Sequence, residues 1–184
     1  MITKFNLFIK ETADVVSLGG GKEKSDKFKR WFKNSKLVDN NGNPLIVYHG
    51  TRSVFDIFKP SGKIGNQGEK DQIEGMYFTD SIDGASFFSA NKNDPRYFKS
   101  VYLSIQNPYI SENLNDLKND LGLDYLGDVS DELKKQGYDG VIVKRGFYAF
   151  GGPHKKIIAF YPNQIKSATE NTGKFSKLDN RINE

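Results

Sequence analysis

The chain contains no cysteine, which excludes disulfides, thiolate nucleophiles and every cysteine-based metal site. Histidine is almost as scarce. His49 and His154 are the only two, so a zinc centre is not expected and no metal is assigned. No apolar run approaches the ~20 residues that a membrane-crossing helix needs. The opening stretch, residues 1–10, is too short and too interrupted by polar side chains to act as a signal peptide. A cytoplasmic setting and no membrane partner are therefore expected. Charge of one sign is also lacking. Against 27 Lys and Arg stand 23 Asp and Glu, and the resulting +4 permits an anionic partner without requiring one.

What is present is aromatic. Only 36% of residues are hydrophobic, but 13% are Phe, Trp or Tyr, which points to a core of rings on β-strands. At 184 residues the chain fits one domain with a terminal appendage. Gly19-Gly20-Gly21 reads as a hinge, giving an N-terminal extension over 1–21 and a main domain over 22–184. Between Lys22 and Lys36, Phe28, Trp31 and Phe32 recur at helical spacing among basic residues. An amphipathic covering helix with a solvated basic face is the preferred reading, and nucleic-acid binding through residues 22–36 is the alternative.

The chain is organised around residues 44–51. Leu45, Ile46 and Val47 predict a buried strand that ends at Tyr48-His49-Gly50-Thr51, where its last side chains can face a cleft. Gly50 has no Cβ, so a planar ligand can approach its peptide. Ser61 to Gly75 has no period and reads as a mobile lid. Met76-Tyr77-Phe78-Thr79 predicts a second aromatic strand, followed by a helix over 82–90 capped by Asp80 or Ser81. Further strands are expected over 101–105, 141–144 and 156–160, and helices over 114–121 and 132–136. Asn107-Pro108 reads as a strand terminator, and the tail from Ser167 as loosely ordered.

Four segments then occur in order: Tyr48-His49-Gly50-Thr51, Gly75-Met76-Tyr77-Phe78-Thr79, Gly137-Tyr138-Asp139-Gly140 and Phe160-Tyr161-Pro162-Asn163-Gln164-Ile165-Lys166-Ser167-Ala168. Together they resemble the ADP-ribosyltransferase domain of phage and mobile-element polyvalent proteins, related to the diphtheria-toxin and poly(ADP-ribose) polymerase type. The resemblance covers roughly residues 27–180. It implies an α+β fold of split, bent antiparallel sheets with peripheral helices around an NAD cleft. It further implies NAD as co-substrate and a protein or nucleic-acid acceptor in the host cytoplasm. On this resemblance His49 binds the adenosine-side ribose with help from Thr51. Apart from the resemblance, the residue types suit the chemistry: the Gly50 backbone offers the carboxamide one donor and one acceptor, Tyr77 can stack on the nicotinamide with Phe87 as the other wall, and Phe78 completes the cofactor-binding set.

One position departs from the pattern. Aligning Phe160 to Lys166 places Lys156 where the family carries its third catalytic residue, a Glu that favours positive charge on the ribose. Unit charges ~5 Å apart at an effective dielectric near 20 repel by roughly 3 kcal/mol, about two powers of ten in rate. No carboxylate lies between Asp139 and Glu170, so a shift of register does not restore the Glu. Glu74 is the candidate to replace it. Two functional expectations follow: a mono-ADP-ribosyltransferase, or a catalytically inert nucleotide-binding module.

Overall fold

The computed structural model describes residues 25–61, 72–91, 94–148 and 153–184. The expected N-terminal extension and most of the expected lid lie outside the described residues. Ser61 and Gly75, which bound that lid, exchange backbone hydrogen bonds of 3.0 and 2.9 Å.

Ser25 opens helix α1 (Asp26–Phe32): its hydroxyl accepts the Phe28 N–H at 3.1 Å, and Asp26 in the first turn complements the helix dipole. Phe28, Trp31 and Phe32 are buried against Tyr102 and Phe175, and Trp31 Nε1–H donates to the Asn163 carbonyl at 3.0 Å. The aromatic residues that a nucleic-acid reading would need are thus inside the fold. This is a covering helix.

Seven strands follow: β1 (Val47–Gly50), β2 (Met76–Thr79), β3 (Phe98–Leu103), β4 (Pro108–Ser111), β5 (Gly140–Tyr148), β6 (Pro153–Ala159) and β7 (Ile165–Ser167). They form a single sheet in the order β4-β5-β6-β2-β1-β3-β7, antiparallel except for the parallel β4–β5 pair. The helices α2 (Ile82–Ser86), α3 (Leu114–Asp120) and α4 (Val129–Lys135) complete an α+β architecture consistent with an ADP-ribosyltransferase fold. The expected pair of antiparallel sheets is thus corrected to one mixed ladder. Its narrowest point is between β1 and β2, where Tyr48–Thr79 is the sole register pair among the described residues. Strand β4 escaped the sequence reading because Asn107-Pro108 looked like an ending. Proline can open a strand, however, and the Asp139 carboxylate accepts the N–H groups of Gln106 and Asn107 at 2.8 and 2.9 Å. That clamp holds the start of β4 beside the start of β5.

Alternation along the strands gives the sheet two buried faces. Val47, Met76, Phe78, Val101, Leu103 and Ile157 pack on one with Phe58 and Ile182. Val141, Val143, Ile158 and Phe160 pack on the other beneath Leu117, Val129 and Leu133 of α3 and α4.

The tail is a second correction. Beyond β7 it folds back, burying Phe175 in the aromatic cluster of α1 and Ile182, 1% exposed, in the main core. Lys166, fully buried, fixes it by donating to the carbonyls of Asp179 and Arg181, each at 2.8 Å. Burial pushes that ammonium down to about 8, with the Asp179 and Glu184 carboxylates acting the other way. A polar tail composition said nothing of this anchor, because its partner lies on β7.

Candidate active site

Strands β1 and β2 part beyond the Tyr48–Thr79 pair, and the parting is filled by a side chain. His49 Nδ1 lies 2.7 Å from the backbone oxygen of Tyr77. A carbonyl only accepts, so Nδ1 must carry the hydrogen and the neutral ring keeps its lone pair on Nε2. The ring is walled by Phe58, Phe78 and Phe55 at centroid distances of 5.0, 5.8 and 6.0 Å. Burial holds this imidazole below the usual histidine value. The Tyr77 carbonyl opposes that shift, and the Lys99 cation adds to it. His49 is therefore a neutral acceptor at neutral pH.

The direction of that shift carries a pH dependence. The folded value lies below the unfolded one, so the contribution to stability is full above the unfolded value of about 6.5. As pH falls below that value, the unfolded chain takes up a proton that the native ring refuses, and stability declines. Thermal midpoints measured from about pH 7.5 to 5.5 should fall more steeply for wild type than for His49→Gln. Parallel declines would contradict the assignment.

A cavity of about 420 Å³ opens at the parting, a size suited to a small organic ligand. His49, Gly50, Tyr77, Phe78 and Lys156 all border it. This convergence is not obvious from register. Pairing of Tyr48 with Thr79, and of Thr79 with Lys156, puts Tyr48, Tyr77, Thr79 and Lys156 on one face and His49 with Phe78 on the other. The two faces meet at one cavity only because the strands separate there.

Tyr77 presents its ring while its hydroxyl donates to the Ile73 carbonyl, which fixes the ring plane. Gly50 is required by a close approach. A Cβ on it would sit 1.8 Å from the Ala85 carbonyl oxygen of α2, so the space on that side belongs to the helix. The helix also explains a change of wall. α2 ends at Ser86 rather than near residue 90, and Phe88 borders the cavity, whereas Phe87, 61% exposed, does not. Thr51 is buried outside the cavity, its hydroxyl donating to the Ser53 carbonyl at 3.0 Å and accepting the Ser53 N–H at 3.1 Å.

Glu74 does not border the cavity either. It precedes β2, five residues from the Thr79 that pairs with Lys156, or roughly 16 Å along an extended chain. The sequence reading missed Tyr48, Thr79, Ala85, Phe88 and Lys155 as lining residues. Their signal was present at Tyr48 and Thr79, each one or two positions from a chosen residue on an alternating strand. Lys155 is fixed by Asp80, whose carboxylate accepts its N–H at 3.0 Å and pairs with its Nζ at 3.7 Å.

Lys156 is held differently. Its Nζ lies over the Tyr77 ring, 6.0 Å from the centroid, both residues border the cavity, and burial lowers its pKa. Gly146 on β5 lets the neighbouring strand close against it, since a Cβ there would meet the Lys156 Cβ at 2.3 Å. The backbone thus fixes this lysine in the site.

The pattern of one family, ADP-ribosyltransferase in polyvalent proteins, matches residues 39–175, well over half of the chain. The chain belongs to that family. Among curated proteins no sequence matches it. Membership of the ADP-ribosyltransferases implies NAD as co-substrate and a macromolecular acceptor. The matched span contains β1, β2 and β6 and every described residue that borders the cavity. Among the described residues no helix is long and apolar enough to cross a membrane, and no three His, Asp or Glu side chains gather as metal ligands.

Proposed function

We propose that this ADP-ribosyltransferase domain is a mono-ADP-ribosyltransferase, encoded by a phage or mobile element, that modifies a protein or nucleic acid of the host cytoplasm. One observation supports the reading above the others: His49 and Tyr77 border one cavity and are coupled through the imidazole–carbonyl bond. In the proposed reaction the bond from the ribose carbon to nicotinamide breaks, the ring leaves with the electron pair, and the acceptor bonds to that carbon. Cleavage of this kind builds positive charge on the ribose. Neutral His49 offers Nε2 to a ribose hydroxyl, and Tyr77 and Phe88 provide apolar walls for the leaving ring.

The test is incubation with labelled NAD and host lysate. Label is expected on a macromolecule, and Tyr77→Ala is expected to abolish it. The absence of both labelled macromolecule and free nicotinamide would rule the transferase out. Lys156 favours a second reading, a nucleotide-binding module without turnover. It predicts NAD binding that Tyr77→Ala abolishes, with no nicotinamide released by wild type.

A further inference from the structure

The cavity is charged in an unusual sense for a site that receives a pyridinium ring. Among the described residues no Asp or Glu lines it, whereas Lys155 and Lys156 both do. Lys155 has a counter-charge in Asp80. Among the described residues no carboxylate forms an ion pair with Lys156, and its half-buried ammonium stands over the Tyr77 ring. A cation placed so resists a second positive charge on the same aromatic face and favours a neutral or negative group there.

We infer that Lys156 makes this cavity select its dinucleotide by the charge of the nicotinamide ring, holding the reduced, uncharged form more tightly than the oxidised, cationic one. The inference rests on the proposed placement of that ring against Tyr77. Its consequence is regulatory. The reduced dinucleotide occupies the site without a pyridinium leaving group, so it acts as a competitive inhibitor of transfer, and the domain works fastest where the oxidised form predominates. The lysine thus gives a redox dependence to a chain that has no cysteine with which to sense redox state.

The experiment is titration calorimetry of the full chain with NADH, NAD and ADP-ribose, on wild type and on Lys156→Met, Lys156→Gln and Lys156→Glu. Two unit charges roughly 8–10 Å apart at an effective dielectric near 20, the spacing expected for a ring laid against Tyr77, predict a preference for NADH over NAD on the order of tenfold in wild type. The preference should collapse toward unity in Lys156→Met and Lys156→Gln and reverse in Lys156→Glu. ADP-ribose, which has no nicotinamide ring, should bind all four proteins and shows that each variant is folded. Equal affinity of wild type for the two dinucleotides overturns the inference and leaves the NAD-cleft reading standing. A preference that survives in both neutral variants overturns it as well. Binding of no nucleotide by wild type overturns both readings together.

Discussion

Replacing Lys156 with glutamate is expected to raise the rate of nicotinamide release from NAD by on the order of a hundredfold. The expectation follows from where the residue stands. β6 pairs Lys156 with Thr79 on the face that carries Tyr77, and the side chain borders the cavity with no ion-pair partner among the described residues. A cation at that place raises the energy of a ribose on which positive charge is growing, whereas a carboxylate lowers it. The strand supplies rigid backbone, and glutamate keeps the Cβ against which Gly146 already closes while its side chain is shorter than that of lysine. Measuring free nicotinamide for wild type and Lys156→Glu decides the matter. A fall in rate would mean that the lysine itself assists the reaction.

The largest effect on stability is expected away from the cavity. Trp31→Ala should cost about 3–5 kcal/mol, the range for removal of a buried large aromatic ring. Trp31 is 1% exposed and packs its ring at tilted angles among Phe28, Phe32 and Phe175, while its indole N–H satisfies the Asn163 carbonyl. Truncation leaves a cavity and an unpaired acceptor, and it loosens the site where α1 and the returning tail meet. Urea denaturation should show a lower midpoint with a similar slope. A loss under about 1 kcal/mol would mean that the cluster relaxes around the gap and that α1 contributes little to the fold.

Local pattern made much of the fold legible. The aromatic run Met76-Tyr77-Phe78-Thr79 is a strand where its composition put it, whereas β1 starts only at Val47 and runs on through Tyr48, His49 and Gly50, so Leu45 and Ile46 precede the strand they were expected to form. Phe28, Trp31 and Phe32 were read as one helical face because a 3.6-residue period is visible in any window of that length. The parallel β4–β5 pair was not legible. It joins segments about thirty residues apart through the Asp139 clamp, and no local composition announces a distant carboxylate. The exchange of Phe87 for Phe88 has a similar cause. The two neighbours have the same chemistry, and the helix's early end at Ser86 decided which faces the cavity. Glu74 was chosen for nearness in sequence to Tyr77, but an extended strand carries such neighbours apart.

The sequence by itself determined the chemical inventory: no thiol, two histidines, a glycine after His49, and a lysine at position 156. These are covalent facts, and folding cannot alter them. Only the tertiary structure decided that residues from opposite faces of the sheet border one cavity, that the imidazole replaces a rung of the ladder, and that the tail is anchored. Each depends on which distant backbone groups find partners, and strand pairing is settled by the packing of the whole chain rather than by any stretch of it.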